Sequence, residues 1–284
     1  MFITGPEVQV FQAAAIQMGA GPVRAENEAR ALSLIDRACQ AGARLVGLPE
    51  MWEHVGPAAQ KREFAGAVDG PQLARVRDVC ARRSVWCLAG SIAERAADGR
   101  VHNTAVLIGP RGEIAATYRK LHLFDVDIPD GARYRESEAV APGESIPEVV
   151  ELTGLGVRLG LSVCYDVRFP ELYRRLAEQG ADILSVPAAF TAYTGRAHWE
   201  VLLRARAVEN QAYVFAPAQA GRIGPPQENR QAYGHALIVD PWGEVVADAG
   251  PSGDGFALGR IDPARLAQVR RDLPALRHRR RDVL

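Results

Sequence analysis

The chain has 284 residues, 34 basic and 34 acidic, and a formal net charge of zero. That length can bury a large core as one α/β domain or as two smaller ones. Zero net charge argues against a broad nucleic-acid or membrane surface, and no stretch approaches the roughly 20 apolar residues of a membrane span. The start of the chain does not read as a signal peptide, because the apolar run at residues 13–16 lies between Gln12 and Gln17. Cys39, Cys80, Cys87 and Cys164 show no CxxC pair and no ligand-like spacing with the histidines. Free thiols, no metal site and a cytoplasmic setting are the expectation.

In chain order, residues 9–17 alternate and then run apolar, as a part-buried strand does. Residues 25–41 follow with helical periodicity at Ala31, Leu34, Ile35 and Ala38. A short apolar strand at 44–48 is stopped by Pro49, a second helix is expected at 72–83 and a third strand at 85–89. Residues 104–108 and 113–118 flank the turn Gly109-Pro110-Arg111-Gly112 as a hairpin. The order then repeats. Strands are expected at 157–163, 182–186 and 212–216, and helices at 169–177 (ended by Gly180) and 198–211. A closing hairpin turns at Asp240-Pro241-Trp242-Gly243.

The repeat is visible in the residues themselves. Gly42-Ala43-Arg44-Leu45-Val46-Gly47-Leu48-Pro49 parallels Gly180-Ala181-Asp182-Ile183-Leu184-Ser185-Val186-Pro187, and both hairpin turns read x-Pro-x-Gly-Glu. Apolar strands joined by helices imply sheets covered on one side. Two such halves can pack sheet against sheet as a four-layer α-β-β-α sandwich. Residues 8–256 would form that domain and 257–284 an arginine-rich tail. The crossover at 121–154, rich in charge, Pro and Gly, would run over the surface near the strand ends.

Three residues could carry chemistry, and each has a plainer reading. Cys164 lies where an apolar strand meets a helix, a turn that can expose a nucleophile, or it is one more buried small residue. Glu50 should emerge at the carboxyl end of its strand, as a general base or as an ordinary solvated carboxylate. Lys120 is a surface charge beside Arg119 unless the crossover folds it over Cys164, where it could lower the thiol pKa and hold an oxyanion.

Taken together, Leu48-Pro49-Glu50, Tyr118-Arg119-Lys120-Leu121-His122 and Ser162-Val163-Cys164-Tyr165-Asp166 resemble the Glu, Lys and Cys motifs of the nitrilase superfamily of carbon–nitrogen hydrolases. The segment from Ala197 to Asn210, Tyr233-Gly234-His235 and the ending His278-Arg279-Arg280-Arg281 are similar to the Nit-type amidases within it. True nitrilases typically follow the nucleophile with Gly-Glu, whereas Tyr165-Asp166 stands here. The resemblance implies the four-layer fold, amide rather than nitrile hydrolysis through a thioester, and no cofactor. It implies Cys164 as nucleophile, Glu50 as acid and base, and Lys120 with the Tyr165 N–H around the oxyanion.

The family's second glutamate matches Glu136, which would position Glu50 or the substrate amide. Arg168 either binds a substrate carboxylate or pairs with Asp166 or Glu171. His122, His198 and His235 are expected to be structural. The small-molecule substrate implied is deaminated glutathione, with 2-oxoglutaramate or an N-carbamoyl amino acid as alternatives and a silent binding protein as a different class. The basic tail is expected in contacts of a homodimer or larger homo-oligomer rather than on nucleic acid. The chain departs from this pattern at Leu48, where Phe is more usual, and across Asp130-Gly131-Ala132-Arg133-Tyr134.

Overall fold

A computed structural model describes residues 9–127, 133–280 and 282–283. The opening residues, Asp130-Gly131-Ala132 of the variable loop and Arg281 of the tail lie outside the described residues. In chain order the strands begin with β1 (Phe11–Met18), β2 (Ala43–Gly47), β3 (Trp86–Arg95), β4 (Val101–Ile108) and β5 (Ile114–Arg119). The crossover carries β6 (Asp125–Asp127), β7 (Arg133–Arg135) and β8 (Val150–Leu152). There follow β9 (Val157–Gly160), β10 (Ile183–Ser185), β11 (Tyr213–Ala216), β12 (Ala218–Ile223) and β13 (Arg230–Tyr233). The last three are β14 (Leu237–Val239), β15 (Val245–Asp248) and β16 (Gly255–Ile261). The α-helices are α1 (Arg24–Gln40), α2 (Ala58–Phe64), α3 (Ala74–Arg83), α4 (Pro170–Glu178), α5 (Ala192–Asn210) and α6 (Pro263–Asp272).

The two halves repeat strand for strand. β1, β2 and β3 pair in parallel, and β4 and β5 extend that sheet antiparallel. Likewise β9, β10 and β11 are parallel, with β14 and β15 added antiparallel. The echoing octapeptides are β2 and β10 with their exits, and the echoing turns close the two hairpins.

Alternation along β1 assigns the layers. Ala14, Ile16 and Met18 pack with Leu34 and Ile35 of α1 and Val76 of α3 on the outer face. Ala13 and Ala15 face the other way, into a core shared with Ile183, Phe215 and Leu237 of the second sheet. That sheet is covered in turn by Leu176 of α4 and by Trp199 and Leu203 of α5. The expected four-layer α-β-β-α sandwich is therefore the fold. The sheets approach closely at Gly47, where an added Cβ would stand 2.5 Å from the Phe215 ring and 2.6 Å from Pro217. Only a residue without a side chain fits there.

Several elements went unforeseen, each for a physical reason. α2 (Ala-Ala-Gln-Lys-Arg-Glu-Phe) has no apolar stripe to read. α5 begins at Ala192 rather than 198, because the Thr191 hydroxyl accepts the Thr194 N–H and caps a first turn that Gly195 weakens on paper. The crossover is partly regular: β6 and β7 form a hairpin that returns the chain to the site. The expected boundary at 256 falls inside β16, which pairs antiparallel with β1 from Phe11↔Ile261 to Gln17↔Gly255. The first sheet thus extends into the stretch expected to be tail. Beyond it, Arg270 is bound to Asp182 at 2.7 Å and Arg279 to Glu178 at 2.5 Å, so the tail is tied to its own chain.

Candidate active site

Two strand ends and the crossover build the site. β2 stops at Pro49, and the next residue, Glu50, is turned inward and 5 % exposed. The chain then reverses at Met51 (φ +51), whose N–H is taken by the Ser91 hydroxyl at 3.1 Å. Gly90 makes room for this exit: a Cβ on it would fall 1.9 Å from the Pro49 carbonyl oxygen, at a φ of +53. The bulge of β3 around Gly90 is therefore tied to the placement of Glu50.

The exit from β9 carries Cys164. Its φ of +48 lies in the left-handed region that a non-glycine residue occupies at a cost of about 1–3 kcal/mol. Such strain holds where surrounding structure fixes it, and here the Cys164 N–H donates to the Pro187 carbonyl at 3.0 Å. Asp166, fully buried, completes the elbow. Its carboxylate accepts the Val163 N–H at 2.9 Å, the Tyr118 hydroxyl at 2.8 Å, and the His122 N–H and Nδ1 at 3.1 and 2.7 Å. One side chain thereby joins the nucleophile's turn to the segment holding Lys120. Arg206 on α5 supports the same turn from behind, donating to the Val167 carbonyl at 2.9 Å.

At the centre, the Lys120 ammonium lies 3.0 Å from Glu50 Oε1 and 2.9 Å from Glu136 Oε2. Asn103 donates to Glu50 Oε1 at 2.9 Å and to Glu136 Oε1 at 3.3 Å, while Glu50 Oε2 accepts the Ala189 N–H at 2.8 Å. Glu136 also accepts the Phe124 N–H at 2.7 Å, which fixes the crossover over the site. Burial works against the charge on Lys120, but Glu136 and Glu50 outweigh it and hold the ammonium well above its ordinary range. Burial would likewise raise Glu136, and the Lys120 charge overrides it, leaving that carboxyl lowered.

The thiol of Cys164 is pushed well above its ordinary range, first by burial and then by the Glu50 charge, with Lys120 pulling the other way. The sulfur therefore rests as a thiol. Lys120 acts in the expected direction, lowering the thiol, but burial and the Glu50 charge outweigh it because the ammonium's charge is already shared between two carboxylates.

Glu50, Lys120, Cys164, Glu136 and Tyr165 all line one cavity of about 270 Å³. The backbone N–H of Tyr165, in the first turn of a short 3₁₀ helix, has no acceptor among the described residues. Arg168 is not among the lining residues. Its guanidinium lies over the rings of Tyr165 and Phe190, 5.7 and 5.2 Å from the centroids, and contacts His198 Nδ1 at 3.3 Å. It packs on two rings that line the cavity, and neither Asp166 nor Glu171 is its partner. Asn103, Asp166 and Ala189 were not singled out in the sequence. Asn103 in an ordinary strand and Ala189 in a connecting segment carry no signal, and Asp166 was weighed only as a partner for Arg168. Among the described residues, no group of three or more His, Cys, Asp and Glu side chains could hold a metal ion.

The family model for carbon-nitrogen hydrolases matches residues 12–271. The chain belongs to the carbon-nitrogen hydrolase family. It is an enzyme that hydrolyses carbon–nitrogen bonds other than peptide bonds. It is 49 % identical, over 271 residues covering 95 % of this chain and 98 % of the other, to the deaminated glutathione amidase of Synechocystis. Identity to the human omega-amidase NIT2 is 37 %, covering 96 % of each chain. Among solved structures it is similar to a Glu→Gln mutant of the amidase from Nesterenkonia sp. AN1 (TM-score 0.79, 26 % identity, covering 98 % of this chain and 97 % of that one). In that structure the acetamide moiety of fluoroacetamide is covalently added at the active-site cysteine.

Proposed function

We propose that the chain is a cysteine-dependent amidase that hydrolyses deaminated glutathione to 2-oxoglutarate and cysteinylglycine. The observation carrying the chemistry is the meeting of Glu50, Lys120, Glu136 and Cys164 in one cavity. The observation favouring the substrate is the 49 % identity to an amidase of that name, against 37 % to an omega-amidase.

In this reading the Cys164 sulfur bonds to the amide carbonyl carbon while its proton passes to Glu50. Oε2 is the available atom, because Oε1 already accepts two donors and Oε2 one. The carbonyl electrons move onto oxygen, and the anion is held by the Tyr165 N–H and by Lys120. Lys120 Nζ meets three carboxylate oxygens, Glu50 Oε1 at 3.0 Å and Glu136 Oε1 and Oε2 at 3.1 and 2.9 Å, and acts on the anion as a preorganised buried positive charge. Collapse breaks the C–N bond as Glu50 returns its proton to the leaving amine, leaving a thioester. Water then loses a proton to Glu50 and adds to the thioester carbonyl. The second intermediate expels the sulfur, which takes the proton back, and the acid is released. Glu136 is a positioning residue that fixes Lys120.

The test measures cysteinylglycine from deaminated glutathione and ammonia from 2-oxoglutaramate and N-carbamoyl amino acids, with Cys164→Ala as the blank. Fast cysteinylglycine release that vanishes in the blank is the expected result. Preferential ammonia release from 2-oxoglutaramate would make the protein an omega-amidase instead. Silence on every amide would remove the substrate assignment.

A cytoplasmic homodimer or larger assembly belongs to the same reading. Its support is the set of free cysteines and the exposed apolar side chains Val201 and Val208 on α5 and Trp242, at 60 %, 49 % and 50 % exposure. Light scattering is expected to give at least twice the 30.8 kDa chain mass, and a monomer would overturn it.

A further inference from the structure

Only two of the 34 basic residues are lysines, Lys61 and Lys120, and both line the cavity. Everywhere else the chain uses arginine for positive charge. Lysine differs in being a compact ammonium on a flexible stem, able to sit close to other charged groups in a confined space. Lys120 is committed to Glu50 and Glu136. Lys61, on α2, has no ion-pair or side-chain hydrogen-bond partner among the described residues. The other basic side chains lining the cavity are more exposed and have carboxylate partners: Arg133 and Arg135 share Asp127 at 3.6 and 2.8 Å, and Arg230 meets Glu228 at 2.7 Å.

Charge makes this lysine consequential. Glu50 and Glu136 against Lys120 leave the floor of the cavity one unit negative, which would repel an anionic substrate. Lys61 brings the balance to neutrality. It lines the same cavity as Cys164, and the charges it feels most there are those of Glu136, Glu50 and Lys120. Burial lowers its affinity for a proton, and the arrival of a carboxylate would reverse that loss.

We propose that Lys61 is the specificity-determining residue of the cavity, its ammonium binding the carboxylate at the 2-oxo end of the acyl group. This rests on the amidase reading above and extends it to the class of acyl group: one ending in a carboxylate a few bonds from the scissile carbonyl. Arg168, the sequence-based candidate for that task, stands outside the cavity wall.

Two measurements on the full chain test the inference. In the first, kcat/KM is compared for 2-oxoglutaramate and for pentanamide, which carries no charge. Lys61→Met is expected to lower the ratio of the two by about 10- to 100-fold, the range for a lost charge-assisted hydrogen bond, mainly through KM. Lys61→Arg should restore part of the preference. An equal fall for both amides, or no fall, would overturn the proposal. In the second, calorimetry follows binding of 2-oxoglutarate, the acyl product, and needs no turnover. Kd is expected to rise about 10- to 100-fold in Lys61→Met, and an unchanged Kd would overturn the proposal. An enzyme silent on all amides whose 2-oxoglutarate binding still depends on Lys61 would count against the amidase reading and for this one.

Discussion

Lys120→Met is expected to lose activity and stability together, and a second substitution should separate the two. Removing the ammonium leaves Glu50 and Glu136 facing each other, with side chains 7 % and 14 % exposed, and no cation between them. Breaking a buried ion pair from one side costs about 3–5 kcal/mol, because the orphaned charge stays buried. Loss of an oxyanion donor costs a further factor of about 10²–10³ in kcat. The double variant Lys120→Met/Glu136→Gln removes one of the two repelling charges. It should regain most of the denaturant midpoint while remaining as inactive as the single variant. A double variant that recovers activity would mean that Lys120 serves only to balance charge.

The pH dependence should differ between these proteins. In the parent, Glu136 is lowered, so its contribution is present above the ordinary carboxylate value of about 4.3 and is lost as pH falls through its lower folded value. Lys120 is raised, so its contribution is fully present below about 10.4 and is lost as pH rises through its higher folded value. Between roughly pH 5 and 10 these two groups leave stability flat. In Lys120→Met a buried carboxylate pair holds a proton more tightly folded than unfolded, so stability should rise as pH falls from 8 to 5. Urea melts at the two pH values read the sign directly.

The second large effect is expected from Glu50→Gln. One carboxylate takes the thiol proton, returns it to the leaving amine and then activates water, so its loss should lower kcat/KM by about 10²–10⁴. The substitution is not isosteric in hydrogen bonding. Both oxygens of Glu50 accept, Oε1 from Lys120 and Asn103 and Oε2 from the Ala189 N–H. An amide must turn its NH₂ toward one of these donors, at a cost of about 1–3 kcal/mol. A modest fall in denaturant midpoint with a large fall in rate is the expected pattern. Glu50→Gln with near-normal turnover would transfer the acid–base role to another group, and Glu136 would be the first to examine.

Much of this site was legible because strand ends announce themselves. Pro49 stops β2 one residue before Glu50, and the same stop at Pro187 ends β10, whose carbonyl receives the Cys164 N–H. The parallel octapeptides showed two halves built alike. What could not be read depends on distant partners. Asp166 becomes the hub of the elbow only when Tyr118 and His122 are brought to it from more than 40 positions away. Lys61 sits on a helix with no apolar face, so nothing local distinguishes it from a solvated charge. β16 hides behind two glycines, one of which, Gly259, is needed for packing: a Cβ there would lie 3.0 Å from Ile238 Cδ1.

That last strand has consequences for synthesis. β1 is the first strand described and β16 the last, yet they lie side by side through seven paired residues. β12 takes the remaining edge of β1 at Gln17 and Met18, and Gln219 within it holds the Glu50 carbonyl at 3.0 Å. A chain emerging from the ribosome must therefore keep one edge of an apolar strand unsatisfied until nearly all of its length has appeared. Such late, long-range closure is slow and exposes an edge that can template association with other chains. It also means that Glu50 is locked in place only near the end of folding, so a nascent or truncated chain would carry all of its reactive side chains without the geometry to use them.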